Sequence, residues 1–138
     1  AEAVRYYSQD PRHQARSLFA RQPEAANADA GPWLVSLDGN PGLRNWLHAL
    51  DMLPGAVARL VAEVSFEPLF DHLESCLDMR LSDGSLALLR YWDGRVFWRI
   101  QGVLTPTQRL ALLGPIARWS VYLEGQEWAL DRSSLENR

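Results

Sequence analysis

Lysine is missing altogether: all 14 basic residues of the chain are arginine. A biased genome composition is the first explanation. The consequence is physical in either case, because arginine makes forked, weakly hydrated contacts that suit protein interfaces better than an ammonium does. Cysteine is nearly missing too. The single Cys76 excludes an internal disulfide and any multi-cysteine zinc site, and is compatible with a reducing compartment. No apolar run approaches the roughly 20 residues of a membrane-spanning helix. The N-terminus, Ala1-Glu2-Ala3-Val4-Arg5, has no signal-peptide core, so a cytoplasmic location is the default expectation. It opens on alanine rather than methionine, which reads as a trimmed chain. A glycine-rich phosphate loop, a Gly-x-Ser-x-Gly elbow and a His-Glu-x-x-His pair are all absent. The formal net charge of −3 gives no general attraction to nucleic acid or to an anionic membrane.

What is present fits one domain. The 138 residues are 47% hydrophobic, which is ordinary for a folded protein and argues against disorder. At this size a chain buries roughly 68% of the surface it exposes when unfolded. Six tryptophans are many, and their large apolar bodies serve cores and interfaces alike.

Read along the chain, Ala3–Tyr7 suits a short strand. Asp10 and Pro11 open a helix predicted to run to about Ala20, and Gln22–Gly31 is a loop. Pro32–Leu37 is a second strand. Asn40 and Pro41 cap a helix bearing Leu43, Trp46, Leu47 and Leu50 on one face, ended by Pro54-Gly55. Ala56–Val64 reads as a buried strand, with a helical reading also open. Ser65 is expected to cap a helix with Phe66, Leu69, Phe70, Leu73 and Leu77 in a stripe. Met79–Ser82 and Leu86–Trp92 flank Asp83-Gly84, a favoured hairpin turn. Asp93 caps a short helix carrying Val96, Phe97 and Ile100. Thr105-Pro106-Thr107-Gln108 is a capping box, and that helix stops at Gly114-Pro115. Trp119, Val121 and Leu123 alternate, and Glu124-Gly125-Gln126 turns the chain into Glu127–Leu130, a closing strand pair. The fold class is α+β: a mixed, mostly antiparallel sheet with helices packed against it. A single domain spans 1–130, and 131–138 is a polar, frayed tail.

Candidate chemistry is sparse. His72 and Cys76 lie four apart on one helix, a spacing that can hold a metal or activate a thiolate. No third ligand is apparent, so a partly buried structural pair is the plainer reading. His13 and His48 are isolated. Asp10, Asp83 and Asp93 sit where turns and caps want a carboxylate. No catalytic residue, metal or cofactor is assigned.

Four landmarks between Phe66 and Trp119 carry a resemblance. They are His72-Leu73 after a serine, the Asp83-Gly84 turn, and the junction Leu89-Arg90-Tyr91-Trp92-Asp93-Gly94-Arg95-Val96-Phe97. The fourth is Leu104-Thr105-Pro106-Thr107-Gln108 leading to Gly114-Pro115-Ile116 and Trp119. This order resembles the effector-chaperone or adaptor domain of bacterial type VI secretion, the Tap or Tec family. Pro32–Leu37 is similar to that family's early strand, and Ala1–Gly31 matches loosely. Gly94 stands where the family usually has proline, which leaves the first helical turn less preset. The resemblance implies a bacterial, cytoplasmic protein that is not an enzyme. It implies two partners, a toxic effector protein and the VgrG spike onto which the effector is loaded. Larger members carry a further C-terminal lobe, so the chain reads as a short member or a fragment.

The residues expected to bind are Arg90, Tyr91, Trp92, Arg95, Trp98 and Arg99, because exposed aromatics and arginines anchor interfaces. His72, Asp83, Asp93, Thr105 and Gly114 are expected to be structural. Each binding candidate has a plain alternative: Tyr91 or Trp92 in the core, Arg95 paired with an acid. Two other readings stand beside the adaptor. One is an enzyme of unrecognised class, and the other is a small ligand-binding or oligomerisation module.

Overall fold

The computed structural model describes residues 14–21, 31–37, 41–50, 56–80 and 83–133. By internal contact the chain divides into two compact units, Ala1–Ala49 and Leu50–Arg138. Strands and helices are interspersed, and every pairing among the described strands is antiparallel. The α+β class is therefore borne out. Instead of one mixed sheet, the described strands form three small antiparallel sheets. Parallel pairing would need long crossovers, whereas hairpin-length connections favour antiparallel neighbours.

In the first unit, β1 (Ala15–Ser17) pairs with β2 (Trp33–Val35). This overturns the helix expected to run through to Ala20. The backbone of β1 is satisfied by a partner sixteen or more positions away, and Leu18 N extends the pairing to Pro32 O at 3.0 Å. Tertiary pairing overrides a local cap signal in such cases. Leu18 and Phe19 follow β1 and are buried. Gly31 lies flat against the Phe19 ring, so that any side chain there would collide with it. Helix α1 (Pro41–Leu50) starts at the predicted proline and ends before the expected Pro54-Gly55 stop. Ala3–Tyr7, Asp10-Pro11, His13, the loop from Gln22, the Asn40 cap, Pro54-Gly55 and the last five residues fall outside the described residues.

The second unit is built around β6 (Ile116–Leu123), which lies between β3 (Ala58–Ala62) and β7 (Gln126–Asp131). Glu124 and Gly125 have φ of 54° and 76° and close the β6–β7 hairpin. Two successive positive φ angles give the twist that a two-residue hairpin loop needs. Asp131, expected in the tail, belongs to β7 opposite Arg118. Strand β3 is not buried as expected: it is an edge, and Val61 is 61% exposed. Helix α2 (Phe66–Ser75) begins after Ser65, whose side chain makes no capping bond. Pro68 occupies the third helical position and has no N–H to donate, which removes one of the two donors a serine cap uses. The Asp83-Gly84 turn connects β4 (Asp78–Arg80) to β5 (Leu86–Leu88), with Gly84 at φ 87°. The chain then leaves the strand earlier than expected, so Tyr91 and Trp92 form a turn.

Helices α3 (Gly94–Val103) and α4 (Pro106–Leu113) both pack against β6. Their ends are set as the sequence predicts. Asp93 accepts a bond from Arg95 N at 3.0 Å. Thr105 and Gln108 complete a reciprocal capping box, with bonds of 3.2 and 2.9 Å. Gly114 ends α4 at φ 51°. The core has Trp119 at its centre. Its ring stacks on Phe97 at 4.5 Å and 10°, and meets Tyr91 edge-on at 5.5 Å and 83°. Phe70, Leu73, Leu77, Leu113, Ile116 and Val121 complete this buried set.

Trp119→Ala should cost about 3–5 kcal/mol, the usual cost of truncating a buried tryptophan. Val103→Ala, on the outside of α3, should cost less than about 0.5 kcal/mol. Urea unfolding monitored by circular dichroism checks both; similar midpoint shifts for the two would refute this placement of the core.

Candidate functional site

The segment from Arg90 to Leu104 contains every binding candidate, and the fold sorts them by depth. Tyr91 is only 2% exposed. Its hydroxyl donates to Leu73 O at 2.5 Å, joining the turn to the end of α2. Burial pushes its pKa further upward. A residue held in this way offers no surface to a partner, so Tyr91 moves from the binding set to the core. Trp92 is half-buried and packs edge-on against Tyr91 at 5.6 Å.

Asp93 does two jobs at once. It caps α3, and both its oxygens receive the Arg95 guanidinium, Oδ1 from Nε at 3.3 Å and Oδ2 from Nη2 at 3.2 Å. That side-chain bond holds the Asp93 carboxyl below the ordinary carboxylate range, with the Arg95 backbone N–H adding to it and partial burial opposing it. The Arg95 side chain remains 62% exposed. Exposed ion pairs contribute little to stability. Arg90 and Arg99 are exposed. Trp98 is half-buried because its ring lies 5.0 Å from that of Trp128 on β7. Trp128, itself 37% exposed, was not singled out from the sequence. Only the β6–β7 register brings it beside α3.

The structural landmarks form direct contacts. His72 Nε2 lies 2.6 Å from Leu112 O. A carbonyl can only accept, so Nε2 carries the proton and donates it there. The imidazole lies directly over Gly114, where any Cβ would collide with it. Cys76 Sγ is 3.7 Å from the same Nε2. A nitrogen that is donating to Leu112 has no lone pair to accept a thiol proton. Burial pushes the Cys76 thiol up, against a smaller opposing effect from Ser75. Both observations run against an activated thiolate. Asp83 accepts from Ser85 N at 2.9 Å and Ser85 Oγ at 2.6 Å, which makes it a turn residue. The bond from the Ser85 hydroxyl lowers its pKa. Among the described residues, no three His, Cys, Asp or Glu side chains come together as a metal-holding group. No described helix is long and apolar enough to cross a membrane.

Beyond Asp93 the charge becomes one-sided. From Gly94 to Leu123 the chain has Arg95, Arg99, Arg109 and Arg118 and no acidic residue. Arg118 is neutralised by Glu127 and by Asp131 at 3.3 Å. Beside Arg99, Ile100, Val103 and Leu104 line an open apolar cleft of about 220 Å³.

Helix α3 thus turns Phe97 inward and leaves Arg95, Arg99 and Val103 exposed. The chain belongs to the family described as Domain of unknown function (DUF4123), whose model matches residues 3–111. No curated protein and no solved structure matches it. The matched span ends inside α4, so Ile116, Trp119, Val121 and Leu130, all buried, lie beyond it.

Two outcomes follow from this geometry. Tyr91→Phe should cost about 1–2 kcal/mol, a buried hydrogen bond, in a thermal or urea melt. Asp93→Asn keeps a capping side chain but loses the charge. Because the folded pKa of Asp93 is depressed, the stability it contributes is present above about pH 4 and is lost as pH falls through the lower folded value. The Asn variant should therefore lose less stability between about pH 4 and pH 2 than the parent. An unchanged acid limb would refute the ion pair.

Proposed function

We propose that this chain is a protein-binding adaptor of bacterial type VI secretion, which binds a toxic effector in the producing cell and helps load it onto the VgrG spike. The observation that carries the reading is membership of the DUF4123 family over residues 3–111, taken with the ordered landmarks from His72 to Trp119. The geometry supports binding over catalysis. The one thiol–imidazole pair has its ring nitrogen committed to Leu112 O, and Asp83 and Asp93 are held by their own turn and cap. What stays outward on the Arg90–Leu104 segment is arginine and apolar surface, the residue types that anchor protein interfaces.

The test is reconstitution with the effector and VgrG encoded beside this chain's gene. Purified wild-type chain should co-elute with the effector in size exclusion. Replacing Arg90 and Arg99 together by alanine should weaken that complex by about 2 kcal/mol or more and leave the melting temperature nearly unchanged. Tyr91→Phe should do the opposite. Absence of a complex with every neighbouring effector and VgrG would sink the reading.

A further inference from the structure

Helix α3 has two unlike faces. Phe97 faces the core and is fully buried, while Val103 is 85% exposed, the most exposed of the large apolar residues described. A valine side chain left in water at a helix end stabilises nothing within the molecule. Gly102 is beside it. A Cβ built on Gly102 meets nothing within 4 Å, so no packing inside the described structure requires glycine there. Glycine near the end of a helix nevertheless disfavours the helix relative to alanine. What the missing side chain provides is a flat surface on which another backbone can approach closely. Arg99, one turn before Val103, lies at the edge of the apolar cleft with Ile100 and Leu104.

The charge specifies the occupant. The chain as a whole is acidic at −3, yet α3 and α4 contain arginines and no carboxylate. An apolar segment flanked by acidic residues would match the cleft floor and its rim together. A basic segment would meet Arg99 with like charge, which disfavours the encounter.

Resting on the adaptor reading, the geometry points to this cleft, Arg99 to Leu104, as the seat of an amphipathic, acidic-flanked polypeptide segment of the partner, with Gly102 allowing its backbone to approach closely. Apolar side chains enter between Ile100, Val103 and Leu104, and carboxylates reach Arg99.

The experiment uses the isotope-labelled full chain and two synthetic helical peptides. Both carry the same leucine stripe, one flanked by glutamates and the other by lysines. The glutamate peptide should shift the amide resonances of Arg99 to Leu104 and bind at least about tenfold more tightly than the lysine peptide. Gly102→Trp and Arg99→Glu should each weaken it by about tenfold or more, with thermal melts like the wild type, since the space over Gly102 is open. Equal binding of both peptides, shifts confined to other elements, or no binding would overturn the assignment. So would concentration-dependent self-association in sedimentation that Val103→Asp abolishes, because the cleft would then be a contact between copies. The two readings fail separately. Peptide binding at the cleft without capture of any neighbouring effector or VgrG sinks the adaptor reading alone. Effector capture unchanged by Gly102→Trp, with no peptide shifts, sinks the cleft alone.

Discussion

The stack of Trp119 on Phe97, with Tyr91 standing edge-on to it, is the contact on which the second unit depends. Three segments meet there: the turn before α3, α3 itself and the central strand β6. Aromatic pairs of this geometry contribute beyond the area they bury. Tyr91 also reaches α2 through Leu73 O, so one cluster ties two helices and a turn to the strand. The cluster fixes the direction of α3. With Phe97 inward, the helical period turns Arg99 and Val103 outward.

The landmarks that carry the family resemblance therefore have prior structural duties. His72 and Gly114 are two halves of one contact, a ring lying on a backbone that cannot carry a side chain. Asp93 with Arg95 sets the first turn of α3, and Thr105 with Gln108 the first turn of α4. Gly94 does not preset the first helical turn, and the helix still begins there because the aspartate cap supplies the instruction. A signature of this kind identifies the scaffold. The proposed binding role has to be carried by what the scaffold leaves exposed.

What was legible in the sequence was local. The Asp83-Gly84 and Glu124-Gly125 turns and the helix starts at Asp93 and Thr105 depend on residues within four positions of each other, and these formed as read. What was not legible depended on distant partners. Ala15–Ser17 looks helical until Trp33–Val35 pairs with it. Ala58–Ala62 has a buried strand's composition, but its place at the edge of the sheet is decided by the order β3-β6-β7. Tyr91 and Trp92 are indistinguishable as neighbours in sequence, and the Leu73 carbonyl and the Trp119 ring separate the core residue from the half-exposed one. The contact of Trp128 with Trp98 required the β6–β7 register. Ser65 is the instructive local failure: the helix begins after it, but its side chain makes no capping bond, and the proline three positions on leaves one fewer donor for it.

The same helix thus serves stability on one side and, in the reading proposed here, recognition on the other. That division explains why glycine and valine are tolerated at its exposed end. The strong determinants of fold lie in the first two turns of α3, where Asp93 caps and Phe97 packs. The last turn, from Ile100 to Leu104, is anchored by the backbone bond from Leu104 N to Ile100 O at 3.0 Å and by the Thr105 cap that follows. With its ends secured by backbone and caps, the outer surface of that turn is released from packing constraints. Side chains there can be chosen by a partner rather than by the core, and this is where an apolar face with an unshielded glycine lies beside Arg99.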